Sequence, residues 1–134
     1  MSKNLTYLSI LLLVFLISCS KAKVSEQEAL LVGTWELKIS EPALMSGVGV
    51  VEYKSDKTCH GEASFKMMGE SMSFTFSATW IIADGKLITK ITKSSDPELL
   101  KVGSEEVDII LQLDEKVFTY RDSEGDVYSE TRKK

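Results

Sequence analysis

The fold is decided by residues 71–82, which read Ser71-Met72-Ser73-Phe74-Thr75-Phe76-Ser77-Ala78-Thr79-Trp80-Ile81-Ile82. The even-numbered positions are all apolar, and the odd-numbered positions are serine or threonine until Ile81. Successive side chains of a β-strand point to opposite faces, so a period of two is typical of a strand with one buried face. The stretch is therefore predicted to be a strand that covers a core on one side and meets water on the other.

Other stretches repeat this alternation. The sets predicted to point inward are Trp35, Leu37 and Ile39; Cys59, Gly61, Ala63, Phe65 and Met67; and Val107, Ile109, Leu111 and Leu113. In the last stretch Asp108, Ile110 and Gln112 are predicted to point outward. Turn signals separate the stretches, and Asp84-Gly85 is the strongest because a tight hairpin needs positive φ. The predicted strands are 33–40, 46–54, 58–67, 71–82, 86–93, 105–113, 116–121 and 126–132.

Consecutive hairpins with one apolar face predict an all-β protein. They close most simply as a single eight-stranded antiparallel up-and-down barrel over residues 30–134, because closure removes exposed sheet edges. A two-sheet sandwich is the alternative. Residues 94–103 break the regular succession of strands and short turns, and they contain a capping serine, Pro97 and a final glycine. They are predicted to form a loop with about one helical turn.

The N-terminus carries a targeting pattern. Lys3 precedes an apolar run from Leu8 to Ile17, which fits the core of a secretory signal and is too short to span a membrane. Leu16-Ile17-Ser18-Cys19 resembles the lipobox of bacterial lipoproteins. The resemblance implies a signal peptide over residues 1–18, cleavage before Cys19, and attachment of lipid to that cysteine. Ser20 resembles an outer-membrane address.

Residues 19–29 follow as the lipidated cysteine and a polar tether. Ser25-Glu26-Gln27-Glu28 has the spacing of a capping box and predicts one helical turn before Ala29-Leu30-Leu31, whose leucines would pack on the domain. The expected partner of this end of the chain is a membrane of the bacterial cell envelope, reached through the lipid.

Charge and cysteine content argue against two properties, nucleic-acid binding and an internal disulfide. Removing residues 1–18 takes away Lys3, one of 16 basic residues, and none of the 20 acidic ones, so the mature chain has a formal charge near −5. A mildly acidic chain argues against nucleic acid as a partner. With Cys19 lipidated, Cys59 has no disulfide partner and is predicted to be a small buried residue.

Gly33-Thr34-Trp35 at the start of the first strand, with Arg132 near the end of the last, resembles the G-x-W signature of the lipocalins. Residues 80–87 and 118–122 are similar to hairpins of small bacterial lipocalin-like lipoproteins, and the resemblance covers about residues 30–133. It implies that Trp35 plugs one end of a barrel, that the guanidinium of Arg132 lies over the indole, and that the interior could hold a small hydrophobic ligand.

Two functions remain open. In the first, the lumen binds an apolar molecule, with a site lined by Phe65, Met67, Met72, Phe74, Phe76 and Trp80. In the second, large rings fill the barrel, and the domain is a structural or interaction module that uses exposed Ile81, exposed Ile110 and the 94–103 loop. Eight strands accommodate either a filled interior or one small ligand.

Catalysis and cofactors are not expected. His60, the only histidine, is predicted on a solvated face with no nucleophile motif beside it. Cys59 and His60 are neighbours in a strand and point to opposite faces, so they are not expected to share a metal ion. The chain is therefore predicted to be neither an enzyme nor a metal-binding or cofactor-binding protein.

Overall fold

The computed structural model describes residues 21–41 and 45–134. The signal segment, Cys19 and Ser20 lie outside the described residues, as does the connection at 42–44. The strands are β1 (Gly33–Glu41), β2 (Met45–Tyr53), β3 (Thr58–Met67), β4 (Glu70–Ala83), β5 (Lys86–Ser94), β6 (Glu105–Leu113), β7 (Val117–Arg121) and β8 (Val127–Arg132). Each bound lies within one residue of the sequence prediction.

The strands form one closed barrel in chain order, with every neighbouring pair antiparallel. β1 closes the ring against β8 through Trp35 opposite Arg132 and Glu36 opposite Thr131. This confirms the eight-stranded up-and-down barrel and excludes the two-sheet sandwich. At the β4–β5 hairpin Asp84 has φ 51° and Gly85 has φ 72°, the two consecutive positive values that a tight turn requires.

Residues 21–31 form a helix, α1, which is longer than the single turn expected within a polar tether. The sequence from Glu26 to Leu31 consists of good helix formers, and tertiary packing extends the helix toward residue 21. Leu31 is fully buried, Val24 packs against the core, and Glu28 pairs with Lys57 after β2. No helix among the described residues is long and apolar enough to cross a membrane.

The densest packing lies at the end of the barrel next to α1, which we call the closed end. The connections β2–β3, β4–β5 and β6–β7 lie there, and the connections β3–β4, β5–β6 and β7–β8 lie at the opposite, open end. The largest fully buried side chains are Trp35, Trp80, Phe118, Leu31 and Leu87. Trp80 Nε1 donates to Thr58 O at 3.0 Å, so this buried indole has its polar atom satisfied.

The facing of β6 differs from the prediction. Val107, Ile109 and Leu111 are 37, 41 and 45% exposed, whereas Asp108 and Ile110 point inward. The alternation predicted the wrong face for these residues, and the face that turns inward carries only one apolar residue between 107 and 112, Ile110. Pairing with β5 decides which face of β6 turns inward, since Asp108 lies opposite the buried Leu87. A β-bulge between Ile110 and Gln112 then returns Leu113 to the interior, as predicted.

Candidate functional site

An apolar cavity of about 360 Å³ lies toward the open end of the barrel. It is partly open to solvent and is bordered by four adjacent strands, β1 to β4, and by the loop between β5 and β6. None of its lining side chains is charged. The lining residues are Leu37, Ile39, Gly47, Val48, Gly49, Ala63, Ser64, Phe65, Phe74, Leu99 and Leu100.

Of the two inward-facing glycines of β2, Gly49 explains why this space exists, and Gly47 allows the close approach of β3. A Cβ on Gly47 would lie 2.4 Å from Phe65 Cβ, so the phenylalanine already occupies that place. A Cβ on Gly49 would have its nearest neighbours, Glu62 O and Leu37 Cβ, at 3.9 and 4.0 Å. Gly49 therefore borders open space, and Ala63, which pairs with it on β3, adds little bulk.

The β5–β6 loop supplies one side of the cavity. In this loop Leu100 N donates to Asp96 O at 2.9 Å. A hydrogen bond between residues four apart closes one helical turn, as predicted for residues 94–103. Ser95 ties the loop to β4 through reciprocal bonds with Thr75, at 3.0 and 2.9 Å. Leu99 is half exposed, and Leu100 packs against the core, so the two leucines bridge the rim and the interior.

The structure brings together only part of the predicted lumen set. Phe65 and Phe74 both line the cavity, with ring centroids 6.1 Å apart in an edge-to-face arrangement. Phe76 is tilted toward Phe74 but lies over Gly61, where a Cβ would come within 2.1 Å of its ring. It is not among the lining residues.

The other three predicted lumen residues also lie elsewhere. Met67 and Met72 are 43 and 37% exposed near the tip of the β3–β4 hairpin. Trp80 is 1% exposed in the closed-end core, where it meets Tyr53 edge-on at 5.9 Å. Sequence reasoning missed Gly47, Gly49, Leu99 and Leu100. The alternate glycines of β2 were the one available signal, because a strand loses packing at a glycine unless space or close approach requires it.

Gly33, Trp35 and Arg132 meet at the floor of the closed end. The Arg132 guanidinium carbon lies 4.3 Å from the Trp35 ring centroid, and Trp35 Nε1 donates to Leu31 O at 2.8 Å. Arg132 donates to Val32 O and Glu115 O, both at 2.8 Å, and to Leu30 O. Gly33 has φ +139°, and a Cβ there would lie 2.2 Å from Arg132 Nη1. The arginine thus joins α1, β1 and the β6–β7 connection.

A polar group in the interior was not predicted from sequence. Glu130 is 4% exposed, and its Oε1 accepts from the Tyr120 hydroxyl at 3.0 Å. Its other oxygen, Oε2, is buried without a hydrogen-bond partner in the described part of the chain. Burial raises the pKa of the Glu130 carboxyl to about 7, opposed by the Tyr120 hydrogen bond and reinforced by Asp108. The pKa of Asp108 rises to about 6, mainly through burial and then through repulsion by Glu106 and Asp122.

His60 and Cys59, the two side chains considered for catalysis or metal binding, do not line the cavity. His60 is exposed on the outer face of β3, 3.3 Å from Ser77 Oγ and 3.7 Å from a Glu62 oxygen. Cys59 is 3% exposed, and burial raises the pKa of its thiol to about 11, which keeps it protonated. The two side chains point to opposite faces of β3, as predicted.

Three carboxylates, from Asp122, Glu124 and Asp126, approach one another within 4.8 Å in the β7–β8 turn. Asp122 Oδ1 already accepts the backbone N–H groups of Glu124 and Asp126, both at 2.9 Å. The cluster therefore has a structural explanation as a turn cap.

Comparison with models of known protein families and with curated protein sequences found no match. The class is consequently defined by the architecture itself. This is a closed eight-stranded antiparallel barrel with a packed end and an uncharged cavity toward the other end.

Proposed function

We propose that this chain is a non-catalytic, lipid-anchored protein of the bacterial cell envelope whose barrel binds a small hydrophobic molecule. The cavity of about 360 Å³ carries the ligand part of this proposal. The lipobox-like sequence ending at Cys19 carries the anchor, and Ser20 favours the outer membrane. The membrane is thus the partner of the N-terminus, and the ligand is the partner of the lumen.

The volume and lining of the cavity define the ligand class. Ligand pockets commonly measure about 300–1,000 Å³, so this space suits a molecule at the small end of that range. Its lining offers aliphatic and aromatic carbon with no ionised group, and burying an ionised group there would be costly. The expected ligand is therefore uncharged over the part that enters the barrel.

The placement of α1 is consistent with access from water. The chain enters the barrel at the closed end through α1, while Leu99 and Leu100 lie near the opposite rim. An anchor preceding α1 would tether the protein to the bilayer at its closed end and leave the open end, where the cavity lies, accessible to water. Such an arrangement suits a protein that exchanges an apolar molecule with another component of the envelope.

Replacing Gly49 by valine should fill the cavity without disturbing the barrel. A Cβ at this position meets only ordinary contacts near 4 Å, and valine is well suited to a strand. We expect at least a tenfold loss of affinity for N-phenyl-1-naphthylamine, a neutral apolar dye, measured by its fluorescence increase on binding. Far-ultraviolet circular dichroism should remain unchanged.

The matched control is Val50→Ala on the outer face of the same strand, which should bind the dye as the parent protein does. Equal affinity in the parent and in Gly49→Val would contradict binding in this cavity. Failure of the parent protein to bind the dye, or any of a series of apolar compounds of similar size, would remove the ligand part of the proposal.

A further inference from the structure

The outer wall of the barrel carries an apolar surface formed by Ile81, Ile88, Val107, Ile109 and Leu111, which we call the outer patch. Ile81 pairs with Ile88, and Ile88 pairs with Val107, so one row crosses β4, β5 and β6 without a break. Ile109 and Leu111 continue along β6. Ile81 is 51% exposed, and the three β6 residues are 37 to 45% exposed. Contiguous exposed apolar surface of this kind marks an interaction site more often than scattered single residues do.

Cations flank the outer patch. Ile109 lies between Lys86 of β5 on one side and Arg121 of β7 on the other, in direct cross-strand register. Neither Lys86 nor Arg121 belongs to an ion pair among residues 21–41 and 45–134. The nearest carboxylate on the outer face of β6 is Glu105, which lies opposite Lys90. The row through Ile109 thus presents an apolar centre with a positive group at each side.

The outer patch also adjoins the end of the chain that leads to the proposed anchor. Lys21 and Lys23 of α1 line a groove together with Asp84 and Gly85, the turn that joins β4 to β5. Lys86 follows that turn directly. The chain therefore enters the described structure beside the wall that carries the outer patch, and Cys19 is only two residues earlier.

We propose that the outer patch rests on the surface of an anionic phospholipid bilayer, with its apolar side chains at the acyl boundary and Lys86 and Arg121 against lipid phosphates. The proposal rests on the lipid anchor put forward above and adds the face that the barrel turns toward the membrane. Basic residues beside an apolar face are the combination that membrane-surface proteins use.

A second copy of the chain fits the outer patch less well than a bilayer does. A stable protein interface buries about 800 Å² on each partner. Five partly exposed side chains on a convex wall offer less area than that. A fluid lipid surface, in contrast, can follow a convex shape, and the flanking cations match its charge.

The test uses the full-length lipidated protein reconstituted into vesicles of phosphatidylethanolamine and phosphatidylglycerol. The fluorophore NBD is attached at Ile109→Cys or, as the matched control, at Glu52→Cys. Glu52 is exposed on the outer face of β2, four strands away around the ring of eight. Cys59 is buried, and the unsubstituted protein carried through the same labelling gives the background. A spin label near the lipid headgroup quenches only those fluorophores that touch the membrane surface.

We expect quenching at position 109 to be at least twofold greater than at position 52. The difference should shrink when phosphatidylcholine replaces the anionic lipid or when Lys86→Glu is added. Equal quenching at both positions of a protein that floats with the vesicles would overturn the outer-patch proposal alone. An NBD blue shift at 109 that persists in detergent and resists lipid quenching would also overturn it, by assigning the surface to a second protein. Failure of the protein to float with the vesicles would contradict both the anchor and the outer patch.

Discussion

Replacing Arg132 by lysine is expected to lower the free energy of unfolding by about 3 kcal/mol, because hydrogen bonds from a charged donor contribute about 1.5–3 kcal/mol each. The guanidinium donates to Leu30 O, Val32 O and Glu115 O and covers the Trp35 ring at 4.3 Å. An ammonium group is compact and lacks the planar fork, so it cannot reproduce these contacts together. The loss should appear both as lower stability and as looser docking of α1.

Urea unfolding followed by tryptophan fluorescence measures this effect, since Trp35 and Trp80 are both buried. The control is Lys133→Ala, at the neighbouring residue. Lys133 lies 3.5 Å from Glu36 with a half-exposed side chain, and a surface ion pair of this kind is worth about 0–1 kcal/mol. Equal destabilisation by both substitutions would contradict the role given to Arg132 in joining helix, barrel and closing strand.

Between pH 5 and pH 8 the parent protein is expected to lose about 2–3 kcal/mol more stability than Glu130→Gln, since each pKa unit corresponds to about 1.4 kcal/mol. Burial raises the pKa of Glu130 from 4.5 to about 7. The folded state therefore holds a proton that the unfolded chain releases. This contribution is fully present below pH 4.5 and is lost as the pH rises through 7. Glutamine stays neutral and keeps an oxygen that can accept from Tyr120.

Urea titrations at pH 5, 6, 7 and 8 give the two profiles. Asp108, whose pKa rises to about 6, acts in the same direction and remains in both proteins, so the difference between them isolates Glu130. The control is Glu52→Gln, an exposed carboxylate on the outer face of β2, which should run parallel to the parent. Parallel profiles for the parent and Glu130→Gln would show that the interior does not hold this carboxyl in its neutral form.

The strands could be predicted from the sequence because most of them carry apolar residues on one face only. The alternation from Ser71 to Ile82 has one physical solution, and turn residues mark where each hairpin reverses. β6 was different, since its apolar alternation at 107, 109 and 111 predicted an inward face that the structure turns outward. The buried Leu87 opposite Asp108 sets its facing, and that pairing is a tertiary property which the alternation cannot contain.

The cavity could be predicted only in part. Phe65 and Phe74, which the strand period predicted to point inward, both line the cavity. Depth along the barrel is not encoded in that period, so Trp80 was assigned to the site although it lies in the closed-end core. Leu99 and Leu100 come from a connection whose path depends on hydrogen bonds between Ser95 and Thr75. Glu130 was missed because an inward carboxylate runs against the preference for apolar interiors.

The central proposal is that this barrel is lipid-anchored and binds an apolar ligand. Native mass spectrometry of the protein extracted from its own membranes tests it most directly. We expect the chain to begin at an acylated Cys19 and to hold a small neutral compound that organic solvent releases. A mature protein with a free thiol at residue 19 and no such compound in its barrel would contradict the account.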